Sequence, residues 1–441
     1  MKRLYDPSVR GSTEPWWTLE APPDPPEPAL SGDVDAEVAV VGGGLTGLWT
    51  ALALREHGVD VVVLEALRCG DGASSRNGGF LHGYWSSLPR LVGLFGPECA
   101  LEVARSCDGL VDAVRALGED VWLTEGGTLL VSTAPAHDVH LERDVAVARE
   151  LGLAGEAIEL SADELTVRSP LFRSAVRHRD GGTVQPARLV RALRRAALRS
   201  GVRLHEMSPV LELEHGLVRT AGGSVSVRDV VVATNAWAER LPPVARRIAV
   251  FRSVIVLTAP VDDLGERVGW SGGEAISDAR TYLHYFRPTK DGRVLMGSAS
   301  GEIARAERAL RAFFPALDDV PVEHAWEGPI DVSSDRLPFF ATMPGARIHY
   351  GAGYTGNGVG PSWLGGRLLA SLALGDPMSS PLVTRAPVRL PREPLKTLGA
   401  MLVRRALLAI DEAEARGRQA PPLARAMVAL PRAIGLPIAS R

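Results

Sequence analysis

Three glycines stand in the spacing Gly-x-Gly-x-x-Gly, at Gly42, Gly44 and Gly47, directly after an apolar segment at residues 38–41. In this pattern the first glycine permits a tight turn, the second lets the backbone approach a pyrophosphate, and the third lets a helix pack closely on its strand. Glu65 follows a second apolar segment, and a carboxylate there accepts hydrogen bonds from a ribose diol but repels a 2′-phosphate. The spacing therefore predicts a βαβ unit that binds FAD or NAD rather than NADP.

A second glycine-rich segment, residues 351–360, follows a short strand late in the chain and opens a predicted helix. It contains a formal Gly-x-Gly-x-x-Gly from Gly351 to Gly356, but Pro377 and Pro381 stand where the next strand and its acid should be. A second nucleotide site is therefore not expected. The backbone N–H groups of this loop and the positive end of its helix can instead contact a ligand that the first motif holds.

The composition is that of an ordinary globular protein, with 46% hydrophobic and 23% charged residues among 441, a length that predicts two or three domains. A net charge of −3 and the lack of a basic run argue against nucleic-acid binding. No signal peptide and no apolar run long enough for a transmembrane segment is found, so we expect a cytoplasmic protein. Cys69, Cys99 and Cys107 show no metal-ligand spacing, and no metal site is expected.

The remaining segments predict how these motifs are positioned. Residues 1–36 are rich in proline and acids, which is typical of an extended surface arm, and Trp16 and Trp17 are its predicted anchor. Three later segments carry alternating, β-branched or aromatic residues and predict an antiparallel sheet. These segments are residues 249–258, 281–287 and 293–298.

The chain resembles the D-amino-acid oxidase-like FAD-dependent oxidoreductases, and among them the γ-glutamylputrescine oxidase-like branch. Five passages between residue 38 and about residue 376 carry the resemblance, and the Ser75-Arg76-Asn77-Gly78-Gly79 segment is the one most specific to the branch. The passages are residues 42–47 with Glu65, residues 72–79, residues 182–201, residues 230–237 and residues 328–375.

The resemblance implies an α/β protein, α+β overall, in which a Rossmann-like βαβ domain for FAD carries an inserted antiparallel-sheet substrate domain. On this basis we expect a discontinuous FAD-binding domain, a substrate domain in two parts and a helical C-terminal extension. The expected boundaries are 1–36 for the arm; 37–95, 182–240 and 325–380 for the FAD-binding domain; 96–181 and 241–324 for the substrate domain; and 381–441 for the extension.

The resemblance also implies which residues contact FAD. In residues 72–79, glycines and small side chains allow close approach to a flat ring, while Arg76 and Asn77 offer donors to the pyrophosphate or the flavin carbonyls. Some relatives attach their flavin to a late cysteine, but no cysteine follows Cys107, so we expect noncovalent FAD. The expected FAD-binding residues are Gly42, Gly44, Leu45, Thr46, Gly47, Glu65, Ala66, Ser74, Ser75, Arg76, Asn77, Gly78, Gly79, Val210, Thr234, Trp237, Gly353, Gly356, Asn357, Gly358 and Val359.

The expected catalytic or substrate-contacting residues are His82, Tyr285, Arg287 and Asn357. Side-chain alternation in residues 282–287 places Tyr285 and Arg287 on one face of a pocket strand, although the sequence does not say which face lines the site. Sarcosine-oxidase-type relatives carry a lysine over the flavin that helps oxygen to react. A rough alignment puts Leu295 at that place, with Lys290 the only lysine nearby.

The expected activity is oxidation of an amine or amino acid at its carbon–nitrogen bond to an imine, with O₂ or another electron acceptor as partner. Because a fold does not fix the electron donor, an FAD-dependent 2-hydroxy-acid dehydrogenase stays open as an alternative. So do a flavin-binding accessory protein without turnover and a dehydrogenase that uses only a nicotinamide cofactor. The identity of the small-molecule substrate does not follow from the sequence.

Overall fold

A computed structural model describes residues 5–9 and 13–433. Within them, eight strands form a first sheet whose centre is parallel. Strands Val34–Val41 and Val61–Leu64 are almost wholly apolar where they pair, as expected for parallel strands that are covered on both faces. The parallel strands are, in spatial order, Arg203–His205, Val61–Leu64, Val34–Val41, Ser224–Val232 and Ile348–Ala352. The antiparallel strands are Glu212–Glu214, Leu217–Arg219 and Phe339–Thr342.

Helices cover one face of this sheet and share a single apolar core with it. Leu48, Leu189 and Leu364 are fully buried in that core and come from three different helices. The helices that contribute to this core are Leu45–Glu56, Leu88–Phe95, Pro97–Arg105, Leu110–Arg115, Pro186–Arg199 and Pro361–Leu374. Two of them, Pro97–Arg105 and Leu110–Arg115, lie in the segment expected in the substrate domain, so part of that segment packs with the nucleotide-binding helices.

A second sheet of eight described strands stands beside the first. Its pairs are antiparallel except for one parallel pair, which joins Ala275–Asp278 to Thr128–Ser132. The predicted inserted sheet is thereby confirmed, with this one parallel pair as a difference. The strands are, in spatial order, Val322–Ser333, Ile248–Thr258, Val294–Ser298, His284–Pro288, Ala275–Asp278, Thr128–Ser132, Ser174–His178 and Ala157–Ser161.

Strand Val322–Ser333 pairs with Ile248–Thr258 along nearly its whole length. Residue 325, the expected start of the third FAD-binding segment, therefore lies inside the second sheet. Helix Ile303–Phe313 covers one face of this sheet, where Phe286, Phe313 and Phe314 form an aromatic core. A small third sheet joins Phe80–Leu81, Thr124–Glu125 and Gly182–Thr183.

The N-terminal arm is fastened to the body of the protein by aromatic and charged side chains. Trp17 is fully buried, and its indole Nε1 donates to the carbonyl oxygen of Asn77 at 2.9 Å. Glu20 pairs with Arg188 at 2.5 Å, on helix Pro186–Arg199. The short helix of the arm is Trp16–Glu20.

Two C-terminal helices, Leu395–Ala415 and Pro422–Ala433, pack against each other and against Tyr282. The buried carboxylate of Asp411 accepts hydrogen bonds from the backbone N–H groups of Thr281 at 3.0 Å and Tyr282 at 2.8 Å. The extension thus supports the turn that precedes strand His284–Pro288. The other described helices are Pro135–Glu150, Leu264–Val268 and Pro381–Thr384. Among the described residues, no helix is both long enough and apolar enough to span a membrane.

Candidate functional site

A cavity of about 780 Å³ opens between the carboxyl ends of the first sheet and one face of the second sheet. Four of the five passages that carry the family resemblance contribute residues to its walls, and the passage at residues 182–201 does not. Those predicted residues that line it are Gly42, Gly44, Leu45, Thr46, Glu65, Ala66, Ser74, Arg76, Asn77, Gly78, His82, Val210, Thr234, Trp237, Tyr285, Gly356, Asn357, Gly358 and Val359. Five others, all within the described chain, lie behind the walls, namely Gly47, Ser75, Gly79, Arg287 and Gly353.

The first glycine motif leaves no room for side chains. Gly42 has φ +110°, and a Cβ there would lie 2.6 Å from the carbonyl oxygen of Ala233. A Cβ at Gly44 would lie 2.7 Å from Ser74 Oγ, beside the first turn of helix Leu45–Glu56. A Cβ at Gly47 would lie only 1.9 Å from the carbonyl oxygen of Gly42. The motif therefore presents bare backbone and a helix N-terminus to the cavity, as a pyrophosphate requires.

Glu65 stands directly after strand Val61–Leu64 and its carboxylate is held by backbone donors. One oxygen accepts from Gly43 N at 2.7 Å and the other from Leu67 N at 2.9 Å. Burial raises the pKa of Glu65 to about 7, although both hydrogen bonds act in the opposite direction. Each carboxylate oxygen keeps a further acceptor site, so Glu65 can still bind the hydroxyls of a ribose.

This raised pKa predicts that flavin-free protein loses stability as the pH rises from about 4.5 to about 7. The folded protein binds the Glu65 proton more tightly than the unfolded chain does, so the unfolding free energy falls across this window, by on the order of 3 kcal/mol. Urea unfolding at a series of pH values tests it. The unfolding free energy should fall less steeply with rising pH in Glu65→Gln than in the unaltered protein. An equal dependence on pH in the two proteins would exclude Glu65 as its cause.

The loop after the first motif is shaped by its own polar side chains. Leu45 N donates to Ser74 Oγ at 3.0 Å, which joins the loop to the helix N-terminus. Asn77 Nδ2 donates to the carbonyl oxygen of Ser74 at 2.7 Å, and Asn77 Oδ1 accepts from Gly79 N at 2.8 Å. The Asn77 amide thus holds this loop in shape at the cavity wall, while its predicted contact with FAD stays a prediction.

Arg76 also makes hydrogen bonds within the protein. Its guanidinium donates to the carbonyl oxygens of Thr13 at 2.5 Å and Glu327 at 3.1 Å. These partners belong to the N-terminal arm and to the second sheet. Arg76 lines the cavity and uses these N–H groups to hold three parts of the chain together, while its predicted contact with FAD stays a prediction.

Arg287 lies behind the cavity wall and is fully buried. Its Nε donates to the carbonyl oxygen of Gly78 at 2.7 Å and its Nη2 to that of Val184 at 2.6 Å. The guanidinium also stacks over the indole of Trp17 at 5.1 Å, and burial lowers its pKa to about 9. We therefore propose that Arg287 supports the Gly78–Gly79 backbone and does not contact the substrate.

The late glycine loop is organised by Asp331, a residue that the sequence analysis missed. Its buried carboxylate accepts from Gly353 N and from Asn235 Nδ2, and burial raises its pKa to about 7. Thr46 Oγ1 donates to Tyr354 Oη at 3.0 Å, which links this loop to the first motif. The only available signal was an acid near the end of strand Val322–Ser333, which is followed by two further strands before the loop.

Tyr285 and His82 bring polar groups to the part of the cavity that borders the second sheet. Tyr285 Oη lies 3.0 Å from Ser253 Oγ, and its ring lies across Gly297. Burial raises the pKa of Tyr285 to about 12, so its hydroxyl stays neutral. His82 Nδ1 lies 3.0 Å from the carbonyl oxygen of Gly83. Because a carbonyl oxygen only accepts, Nδ1 carries the proton, and in the neutral ring Nε2 keeps its lone pair.

Arg336 and Tyr282 are among the lining residues that were not predicted as site residues. Arg336 has φ +61° and donates through Nη2 to the carbonyl oxygen of Thr281 at 3.2 Å. Burial raises the pKa of Tyr282 to about 12. Arg336 lay within a passage that carried the family resemblance, but its spacing alone gave it no function.

The lysines do not reach this cavity in the described chain. Leu295 is fully buried in the tryptophan cluster with Trp17 and Trp326, and Lys290 pairs with Asp120 on the surface at 3.4 Å. Lys2 lies outside the described residues. All three cysteines are free thiols and none of them lines the cavity.

A glycine-rich nucleotide motif that shares its cavity with a second, largely antiparallel sheet defines an FAD-dependent oxidoreductase. The DAO family model, described as FAD dependent oxidoreductase, matches residues 37–372, and the chain belongs to this family. The protein is thus a flavoenzyme of the oxidoreductase class. The match includes every predicted site residue and excludes the C-terminal helices.

Individual relatives agree with this assignment. The probable oxidoreductase OrdL of Rhizobium meliloti (strain 1021) is 31% identical over 386 residues, which cover 82% of this chain and 88% of the relative. The gamma-glutamylputrescine oxidoreductase of Escherichia coli (strain K12) is 30% identical over 386 residues, with 82% and 89% covered. The crystal structure of glycine oxidase from Geobacillus kaustophilus shares the fold, with a TM-score of 0.67, 22% identity, and coverage of 80% of this chain and 100% of that one.

Proposed function

We propose that this protein binds FAD noncovalently and oxidises the carbon–nitrogen bond of an amine or amino acid to an imine, which water then hydrolyses to a carbonyl compound. One observation carries the proposal: a single cavity joins Glu65 and the glycine motif to His82, Tyr285 and Arg336. Relatives named for the oxidation of gamma-glutamylputrescine and of glycine support an amine or amino acid as the electron donor.

The residues present fit FAD. Glu65 would bind the ribose, and the backbone of the first motif would bind the pyrophosphate. The backbone of residues 74–78 and of the late loop at residues 354–359 would hold the ring, and the described cavity has no cysteine that could attach it. When bound, FAD supplies the acceptor for the two electrons that leave the carbon next to nitrogen.

His82 is suited to accept the proton that an ammonium group must lose before its carbon can be oxidised. Its Nδ1–H donates to the Gly83 carbonyl oxygen, which fixes the tautomer and leaves Nε2 as the base. Tyr285 stays neutral and offers a hydroxyl beside Ser253. Arg336 provides a guanidinium that can bind the carboxylate of an amino acid. We propose O₂ as the electron acceptor, with hydrogen peroxide as its product.

The first test is an absorption spectrum of the purified protein before and after acid denaturation. We expect flavin bands that leave with the supernatant and that are bleached under anaerobic conditions by one member of an amine and amino-acid panel. Peroxide formation in air then tests O₂ as acceptor. Bleaching only by 2-hydroxy acids would mean that the electron donor is a 2-hydroxy acid and not an amine. Flavin that no donor bleaches would indicate a protein without turnover.

The second test asks whether His82 is the base. His82→Gln should lower kcat/KM at neutral pH by about 100-fold or more, with partial recovery at high pH where the free amine predominates. His205→Gln is a matched control, because His205 Nδ1 also lies 3.0 Å from a backbone carbonyl oxygen, that of Pro28, but outside the cavity. Equal kinetics for the two variants would remove His82 from the mechanism.

A further inference from the structure

A groove of about 240 Å³ lies between helix Ile303–Phe313 and the C-terminal helix Leu395–Ala415. It shares no lining residue with the large cavity. One of its walls lies beyond the region that the family model matches. Cationic or titratable basic side chains form most of its lining: Arg280, His284, Arg305, Arg308 and Arg416.

His284 lies at the buried end of this groove, with 2% of its surface exposed. Its Nδ1 lies 2.9 Å from a carboxylate oxygen of Asp278, which is itself fully buried, while its Nε2 has no hydrogen-bond partner among the described residues. Arg280 Nη1 also lies 3.2 Å from this Nδ1 atom. The Nε2 atom of His284 is thus a buried polar atom of the groove that a bound ligand could hydrogen-bond.

Arg305 and Arg308 stand three residues apart and so lie on one face of their helix. Within the described chain, neither guanidinium has an ion-pair partner or a side-chain hydrogen bond. Two unpaired cations on the same helix face repel each other, at a cost that a bound anion would remove.

The carboxylates that line the groove already have ion-pair or hydrogen-bond partners within the protein. Glu412 pairs with Arg416 at 2.7 Å, and both oxygens of Asp411 accept backbone N–H groups, those of Thr281 and Tyr282. Arg280 lies 3.5 Å from the same Asp278 carboxylate that binds His284. The groove thus keeps an excess of donors that these acids do not satisfy.

We propose that this groove is a binding site for a small oxyanion with two negative charges, either a phosphate group or a dicarboxylate. The forked N–H groups of Arg305 and Arg308 match the geometry of such an anion, and His284 Nε2 would hydrogen-bond its buried oxygen. The ligand would lie next to Asp411, which holds the Thr281–Tyr282 backbone at the wall of the large cavity.

Calorimetric titration of the FAD-saturated protein tests the site, and a double variant of Arg305 and Arg308 separates binding in the groove from binding in the large cavity. Inorganic phosphate and succinate are titrated separately at constant ionic strength. We expect at least one of the two anions to bind saturably, with one anion per protein molecule. The anion that binds more tightly identifies the ligand class. The double variant Arg305→Gln/Arg308→Gln should bind that anion at least about 10-fold more weakly, as expected when two charge-assisted contacts are lost.

Arg105→Gln/Arg149→Gln is the matched control, because it removes the same charge from exposed helix positions outside both sites. It should bind the anion as the unaltered protein does. The proposal is overturned if neither anion binds saturably, or if both double variants bind it equally. The flavin absorption spectrum of Arg305→Gln/Arg308→Gln checks that this variant is folded.

Discussion

Gly47→Ala is expected to remove bound flavin and to lower the unfolding free energy by about 3 kcal/mol. A methyl group at residue 47 would lie 1.9 Å from the carbonyl oxygen of Gly42, a contact that only a shift of helix Leu45–Glu56 can relieve. That shift would move the helix N-terminus away from the pyrophosphate position. Urea unfolding and the ratio of flavin to protein after purification measure the two effects.

Gly399→Ala separates this contact from the ordinary effect of alanine in a helix. Gly399 lies inside helix Leu395–Ala415, and a Cβ there has no atom within 4 Å. Because alanine has the higher helix propensity, this variant should gain up to about 1 kcal/mol and keep its flavin. If Gly47→Ala behaved in the same way, the close packing of helix and strand would not explain the third glycine of the motif.

This motif could be predicted from sequence because its physics is local. The turn at Gly42, the bare backbone at Gly44 and the carboxylate of Glu65 all belong to one βαβ unit whose two strands are apolar where they pair. The late loop was equally recognisable from its glycines. Asp331 was not, because its importance comes from where the chain returns: its carboxylate meets Gly353 only once two sheets have formed.

The contacts of two arginines in the site, Arg287 and Arg76, could not be predicted from the sequence. The alternation of strand His284–Pro288 correctly placed Tyr285 and Arg287 on one face, opposite Phe286. It could not show that Tyr285 lines the cavity whereas Arg287, on the same face, lies buried behind the cavity wall. The acceptors of Arg287 and Arg76 lie in distant segments, so no spacing in the sequence relates them to these arginines.

The C-terminal extension shows the same limit for domain boundaries. Its helical character follows from composition, but its attachment depends on Asp411, which reaches the backbone of Thr281 and Tyr282 across a long stretch of sequence. Likewise, strand Val322–Ser333 pairs fully in the second sheet and then leads toward the late loop of the first. A boundary placed by the pattern of motifs therefore falls inside an element that serves both sheets.

Arg287→Met should lower the unfolding free energy by about 3 kcal/mol, because the carbonyl oxygens of Gly78 and Val184 would lose their donors while still buried. Removing a buried charge offsets part of this loss, since the low pKa of Arg287 shows that its charged form is poorly solvated. Flavin should bind at least about 10-fold more weakly if the freed Gly78–Gly79 backbone costs about 1.4 kcal/mol to order on binding.

Arg293→Met is the matched comparison, because Arg293 also stacks on a tryptophan at 5.1 Å, that of Trp16. Its ion pairs with Asp291 and Glu323 are nearer the surface, so its loss should cost about 1 kcal/mol and leave flavin affinity unchanged. Urea unfolding and flavin titration of both apoproteins distinguish the two arginines. Equal flavin affinities would mean that the cavity wall keeps its shape without Arg287, and the two donated hydrogen bonds would then serve stability alone.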